Sequence, residues 1–190
     1  METLAALRER LPEAAKDIKL NLQSVLSSGV LTQSQRWGVA AAAALASRHP
    51  QLTRAVLVEA RREAGDAVVE DAVAAAALMA MNNVFYRFKH RIGKATYQDK
   101  PARLRMNRLA KPATNKLDFE LFSLAVSAIN DCESCVRAHE QAVVDGGLSD
   151  DAVVDATRIA ATIHAAAVAL EAAEALQNLE GTAAAVAAAP

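Results

Sequence analysis

Helical periodicity runs through almost all of the 190 residues, and little in the chain breaks it. There are only 7 Gly and 5 Pro, and alanine and valine supply most of a hydrophobic fraction of 53%, against 4% aromatics. So few breakers, with so much alanine, predict an all-α fold built from long helices.

Leu4, Leu7 and Leu11 share one face of a first helix, which Pro12 stops or kinks. A second helix is expected over about 13–27, with Ile18, Leu22, Val25 and Leu26 apolar and Gly29 ending it. Thr32 with Gln35 reads as a capping box opening a helix over about 33–48. Another follows over about 51–63, ending at Gly65, and Asp66 is expected to cap a long helix through about Arg87. The stretch 89–113 is a basic connector with room for one short helix. Helices resume over about 115–129, 132–144 and 150–177, and the tail 181–190 is expected to fray.

Asp66-Ala67-Val68-Val69-Glu70 matches Asp151-Ala152-Val153-Val154-Asp155 at an offset of 85. That offset predicts a single domain, 1–190, made of two similar helical halves at about 32–88 and 117–173. It also pairs Gln35 with Glu120, Ser47 with Cys132, Pro50 with Cys135 and Arg54 with His139, so only the second half carries reactive groups.

With 21 basic and 22 acidic residues the chain has no strong field for nucleic acid or an anionic membrane. The N-terminus lacks the basic region and apolar run of a signal peptide, and the apolar runs 39–46 and 72–81 fall short of a membrane span. The expectation is a soluble, cytoplasmic protein that binds neither nucleic acid nor membrane. In a reducing compartment two cysteines point to catalysis or metal binding rather than to a structural staple.

Those two stand together as Cys132-Glu133-Ser134-Cys135, with His139 one helical turn beyond. Asn130 or Asp131 is expected to cap a helix whose first turn holds both thiols, where unpaired N–H groups and the positive dipole end favour thiolate. Positions i and i+3 share a face, which brings the sulfurs within reach of each other, and His139 on the same face can take or return a proton. The helix start alone favours Cys132 as the more exposed, attacking sulfur. Glu120, on the preceding helix among Phe119, Leu121 and Phe122, can reach back in an antiparallel hairpin and suits a proton shuttle. Zinc lacks a full ligand set, because His49, His90, His139 and His164 are scattered and no second C-x-x-C exists. The bland readings are buried small cysteines, a satisfied histidine and a surface acid; the joint spacing argues for redox chemistry.

The run from Glu120 through Cys132, Cys135 and His139 to Glu140 resembles the signature of the alkyl hydroperoxidase AhpD family, with its carboxymuconolactone decarboxylase-like fold. Met81-Asn82-Asn83-Val84-Phe85-Tyr86-Arg87-Phe88 is similar to the same family. The resemblance implies an antioxidant thiol-disulfide oxidoreductase that reduces organic hydroperoxides and the peroxiredoxin AhpC. It implies electrons from dihydrolipoamide on a lipoyl carrier protein, with dihydrolipoamide dehydrogenase upstream, no bound cofactor or metal, and a homotrimer or a multiple of one. It makes Cys135 the sulfur that passes through sulfenic acid and a mixed disulfide, Cys132 the proton donor and resolving thiol, and Glu120 with His139 the proton relay. It also implies an intramolecular Cys132–Cys135 disulfide. Many members carry a histidine before the second cysteine; here Ser134 stands there, able to hold a water but not to titrate near neutral pH. The alternatives are a lactone decarboxylase of the same fold and a non-catalytic helical module whose connector 89–111 docks an acidic partner.

Overall fold

The computed structural model describes residues 3–187, with side chains for 3–179, and among these nine α-helices and no strand. They are α1 (Leu4–Glu9), α2 (Lys16–Ser27), α3 (Gln33–Ser47), α4 (Pro50–Ala64), α5 (Asp66–Ile92), α6 (Ala95–Gln98), α7 (Lys116–Ile129), α8 (Glu133–Asp145) and α9 (Asp150–Ala187). Short 3-10 turns cover Glu13–Ala15, just after Pro12, and Asn107–Ala110. The fray expected over 181–190 is not what forms over 181–187, where α9 continues as helix; 188–190 lie outside the described residues.

The organising element is α3. Its stretch Ala40–Ala44 is fully buried, because α4, α5, α7 and α9 all pack against it. A helix that is apolar all round belongs in a core, and methyl-sized side chains let neighbouring axes approach closely. Gly38 takes this furthest: the ring of Phe122 from α7 occupies the space a side chain would need. The helix starts where the sequence placed it, through a complete capping box between Thr32 and Gln35. Gln35 also donates from Nε2 to Asp118 Oδ1 at 2.9 Å, tying the starts of α3 and α7.

Three local expectations are revised. Asp66 is the first residue of α5 rather than its cap; Gly65 holds that place with φ 87°, and Asp66 pairs with Arg61 Nε at 2.6 Å. The helix continues past Arg87 through Lys89, His90 and Arg91 to Ile92, so the connector begins only at Gly93, which terminates α5 in the left-handed region. The connector is also not uniformly free. Buried Lys89 donates to the carbonyls of Gln98 (2.7 Å) and Lys100 (2.9 Å), fastening it near one end of α5. At the other end, fully buried Asp71 accepts from the amides of Ala113 (2.8 Å) and Thr114 (2.7 Å), the Thr114 hydroxyl (2.7 Å) and Arg108 (3.0 Å). Burial by itself would raise the Asp71 carboxyl, but these donors outweigh it and hold it below the usual aspartate range.

By length and composition alone α5 and the described part of α9 are long and apolar enough to cross a membrane, which the short runs seen in the sequence did not suggest. About half of each such window, 44% and 50%, is buried inside the protein, as in a core helix.

Candidate active site

The hairpin of α7 and α8 builds the site. Asn115 opens α7, its side chain accepting from the Asp118 amide at 2.9 Å, and an apolar face containing Phe119, Phe122 and Val126 sinks the helix into the core. Between the two helices lies a three-residue turn, 130–132. Asn130 ends α7, Asp131 takes a left-handed conformation (φ 54°), and Cys132 occupies the N-cap position of α8. The expected capping by Asn130 or Asp131 is therefore not what forms: no side chain caps α8.

Cys132 and Cys135 are joined in a disulfide, with Cα atoms 5.3 Å apart. Their burial reverses the helix-start expectation. Cys132 is completely buried, whereas Cys135 keeps 7% exposure. The Cys132 amide donates to the Ser127 carbonyl at 3.2 Å, closing the turn between α7 and α8. The Ser134 hydroxyl lies 3.7 Å from Cys132 Sγ.

Glu120 and His139 meet across the hairpin, with Oε2 and Nδ1 only 2.6 Å apart and both side chains mostly buried. Beyond them lies a set that sequence reasoning did not assign. His139 Nε2 faces Met79 Sδ of α5 at 3.2 Å. Asn83, one turn on, donates to Ser127 Oγ at 2.9 Å and accepts from Asn130 Nδ2 at 2.9 Å. Arg87 donates to the Asn130 carbonyl. The signal was present as two amides, Asn82 and Asn83, following a long apolar run, but nothing local says which helix they face. At the rim, His90 approaches Glu133 at 3.3 Å and Arg91 approaches Asp131 at 3.8 Å. The exposed Glu133 carboxyl is held low by its hydrogen bond to Arg137.

Chemically, this is a cysteine pair at a helix start that can trade two electrons between disulfide and dithiol, with an acid–imidazole pair bridging the same helix, through His139, to the facing one, through Glu120. Among the described residues no three His, Cys, Asp or Glu side chains converge as metal ligands do.

A family model described as the carboxymuconolactone decarboxylase family matches residues 95–178. An alkyl hydroperoxide reductase AhpD from Anaeromyxobacter sp. (strain K) is 68% identical over 171 residues, 90% of this chain and 92% of that one. The AhpD of Anaeromyxobacter sp. (strain Fw109-5) is 61% identical over 185 residues, covering 97% and 100%. That of Rhodospirillum centenum is 48% identical over 180 residues, covering 95% and 97%.

Proposed function

The chain belongs to the alkyl hydroperoxide reductase AhpD family, and from that premise we propose that it reduces organic hydroperoxides with the Cys132/Cys135 pair. The observation that carries the reading is the disulfide at the start of α8, hairpin partner to the helix that sets Glu120 against His139. In the reduced protein the Cys135 thiolate attacks the terminal peroxide oxygen. The O–O bond breaks, Cys135 becomes a sulfenic acid, and the alkoxide leaves as alcohol after gaining a proton. The Cys132 thiol then attacks Cys135 Sγ, forming the disulfide and expelling water with the second proton. The residual exposure of Cys135 against none for Cys132 favours this order. Glu120 and His139 exchange the protons, and Ser134 orders solvent beside Cys132.

Return to the dithiol needs two electrons and two protons. Dihydrolipoamide on a lipoyl carrier protein, itself recharged by dihydrolipoamide dehydrogenase, supplies them by thiol-disulfide exchange and leaves as the cyclic disulfide. The same exchange run toward an oxidised AhpC peroxiredoxin joins Cys135 to the partner in a mixed disulfide, which Cys132 resolves. A cytoplasmic homotrimer is the form in which we expect this to occur. The ranges of α3–α5 and α7–α9 support descent of the two halves from one duplicated unit, of which only the second kept the chemistry.

The test is to titrate purified protein with reduced lipoamide and then with an organic hydroperoxide or oxidised peroxiredoxin, following free thiols. Two thiols should disappear per hydroperoxide consumed, and Cys135→Ser should abolish turnover. Full activity in Cys135→Ser rejects the mechanism. Failure of mild peroxide to remove two hydrogens between Cys132 and Cys135 favours a lactone decarboxylase instead.

A further inference from the structure

We propose that Met79 is a positioning residue for the proton relay: its thioether accepts a hydrogen bond from His139 Nε2–H and so keeps that nitrogen protonated. The proposal rests on the reading of Glu120 and His139 as that relay.

The His139 ring makes two contacts, one through each nitrogen. His139 Nε2 lies 3.2 Å from Met79 Sδ. A thioether sulfur offers lone pairs and no proton. A bare nitrogen at that distance would set lone pair against lone pair, whereas Nε2–H makes a weak hydrogen bond, so Nε2 carries the hydrogen. The sulfur cannot easily turn away, because Met79 is 1% exposed and its Sδ also lies 3.9 Å from Asn83 Nδ2. With Nε2 occupied, the 2.6 Å contact between His139 Nδ1 and Glu120 Oε2 has two possible forms. Either the imidazole is neutral, Nδ1 is bare and Glu120 is the carboxylic acid that donates to it, or the imidazolium Nδ1–H donates to the Glu120 carboxylate. Both forms hold one proton between the same two atoms. The pair is thus a one-proton reservoir, poised by the hydrogen bond at Nε2.

Among the described residues, Glu120 is the charged side chain paired with the ring. On α5, Arg87 is committed to the Asn130 carbonyl and His90 to Glu133; on α8, Glu133 is committed to Arg137 as well; on α7, Glu120 is the partner already counted. Met79 also links the relay to the cysteine turn, through Asn83 to Ser127 and Asn130. Leucine fills the same volume without an acceptor, so Met79→Leu removes the hydrogen bond and little else.

The experiment uses nitrogen-15 histidine in the full chain, with the His139 signals assigned by their loss in His139→Gln. In the disulfide form of the wild type, Nε2 should be observed protonated throughout the neutral range. In Met79→Leu the ring should lose this preference and show a mixture of the two neutral tautomers. Turnover of tert-butyl hydroperoxide should fall about tenfold in kcat with KM unchanged. Met79→Gln, whose amide oxygen can accept, should recover most of both. A wild-type spectrum with Nε2 bare overturns the proposal without any variant, as do unchanged His139 signals and kcat in folded Met79→Leu. A wild type with no hydroperoxide turnover strikes the functional reading instead, while the spectra still decide the hydrogen bond.

Discussion

Replacing Gly38 by alanine puts a methyl group where the ring of Phe122 already lies. An ideal Cβ there would sit 2.0 Å from Phe122 Cζ and 2.3 and 2.8 Å from its Cε atoms. Carbon atoms at ease stay about 3.5–4.0 Å apart, so the ring or its helix must retreat by about 1.5 Å. The ring has nowhere to go, since Phe122 is fully buried, and α7 carries Glu120 one turn-half away. Overpacking of a dense core costs about 1–3 kcal/mol, and a gap this large belongs at the upper end. The better helix propensity of alanine offsets about 1 kcal/mol. The expected net loss is about 2 kcal/mol, which at a urea slope of about 2 kcal/mol/M lowers the denaturation midpoint by about 1 M. Phe122→Leu alone should also destabilise, by about 1–2 kcal/mol, because it leaves a cavity. In combination the two should be at least 1 kcal/mol better than their sum, since leucine makes the room the methyl needs. Urea melts of the four proteins in this cycle decide the matter. A raised midpoint in Gly38→Ala, or strict additivity, would refute the reasoning about close helix approach.

Asp71→Asn should cost about 2–3 kcal/mol at neutral pH, because buried donors lose their charged acceptor. Its folded-state carboxyl titrates below the unfolded one, so this stability is complete above the ordinary aspartate range and drains away as pH falls below about 4; urea melts across pH should show a flatter acid limb in the variant. Glu120→Gln and His139→Gln should each slow hydroperoxide turnover about a hundredfold while leaving the circular dichroism melt nearly unchanged, and equal slowing in the double variant would identify one shared relay. At the left-handed turn residue, Asp131→Gly should be tolerated within about 0.5 kcal/mol and Asp131→Val should cost about 1–2 kcal/mol, as read from thermal melts.

Helix order was written in signals that act over a turn or less. The capping box at Thr32 and Gln35, the break at Pro12 and the glycine at 65 each act on their own neighbours, and α3 and α7 start within a residue of their sequence expectations. The pairing of Glu120 with His139 was legible for the same reason: two helices joined by a three-residue turn must run antiparallel, and the heptad-scale offset then limits which residues face each other. What stayed hidden depended on partners far along the chain. Asp71 meets the connector 42 and 43 residues on, and His139 meets Met79 across 60. Whether Cys132 or Cys135 reaches solvent could not follow from a helix start, because burial there is set by what packs around it. Local chain chemistry chose the helices and brought the thiols together; only the tertiary packing around the α7–α8 hairpin decided which cysteine keeps some exposure and what the imidazole touches.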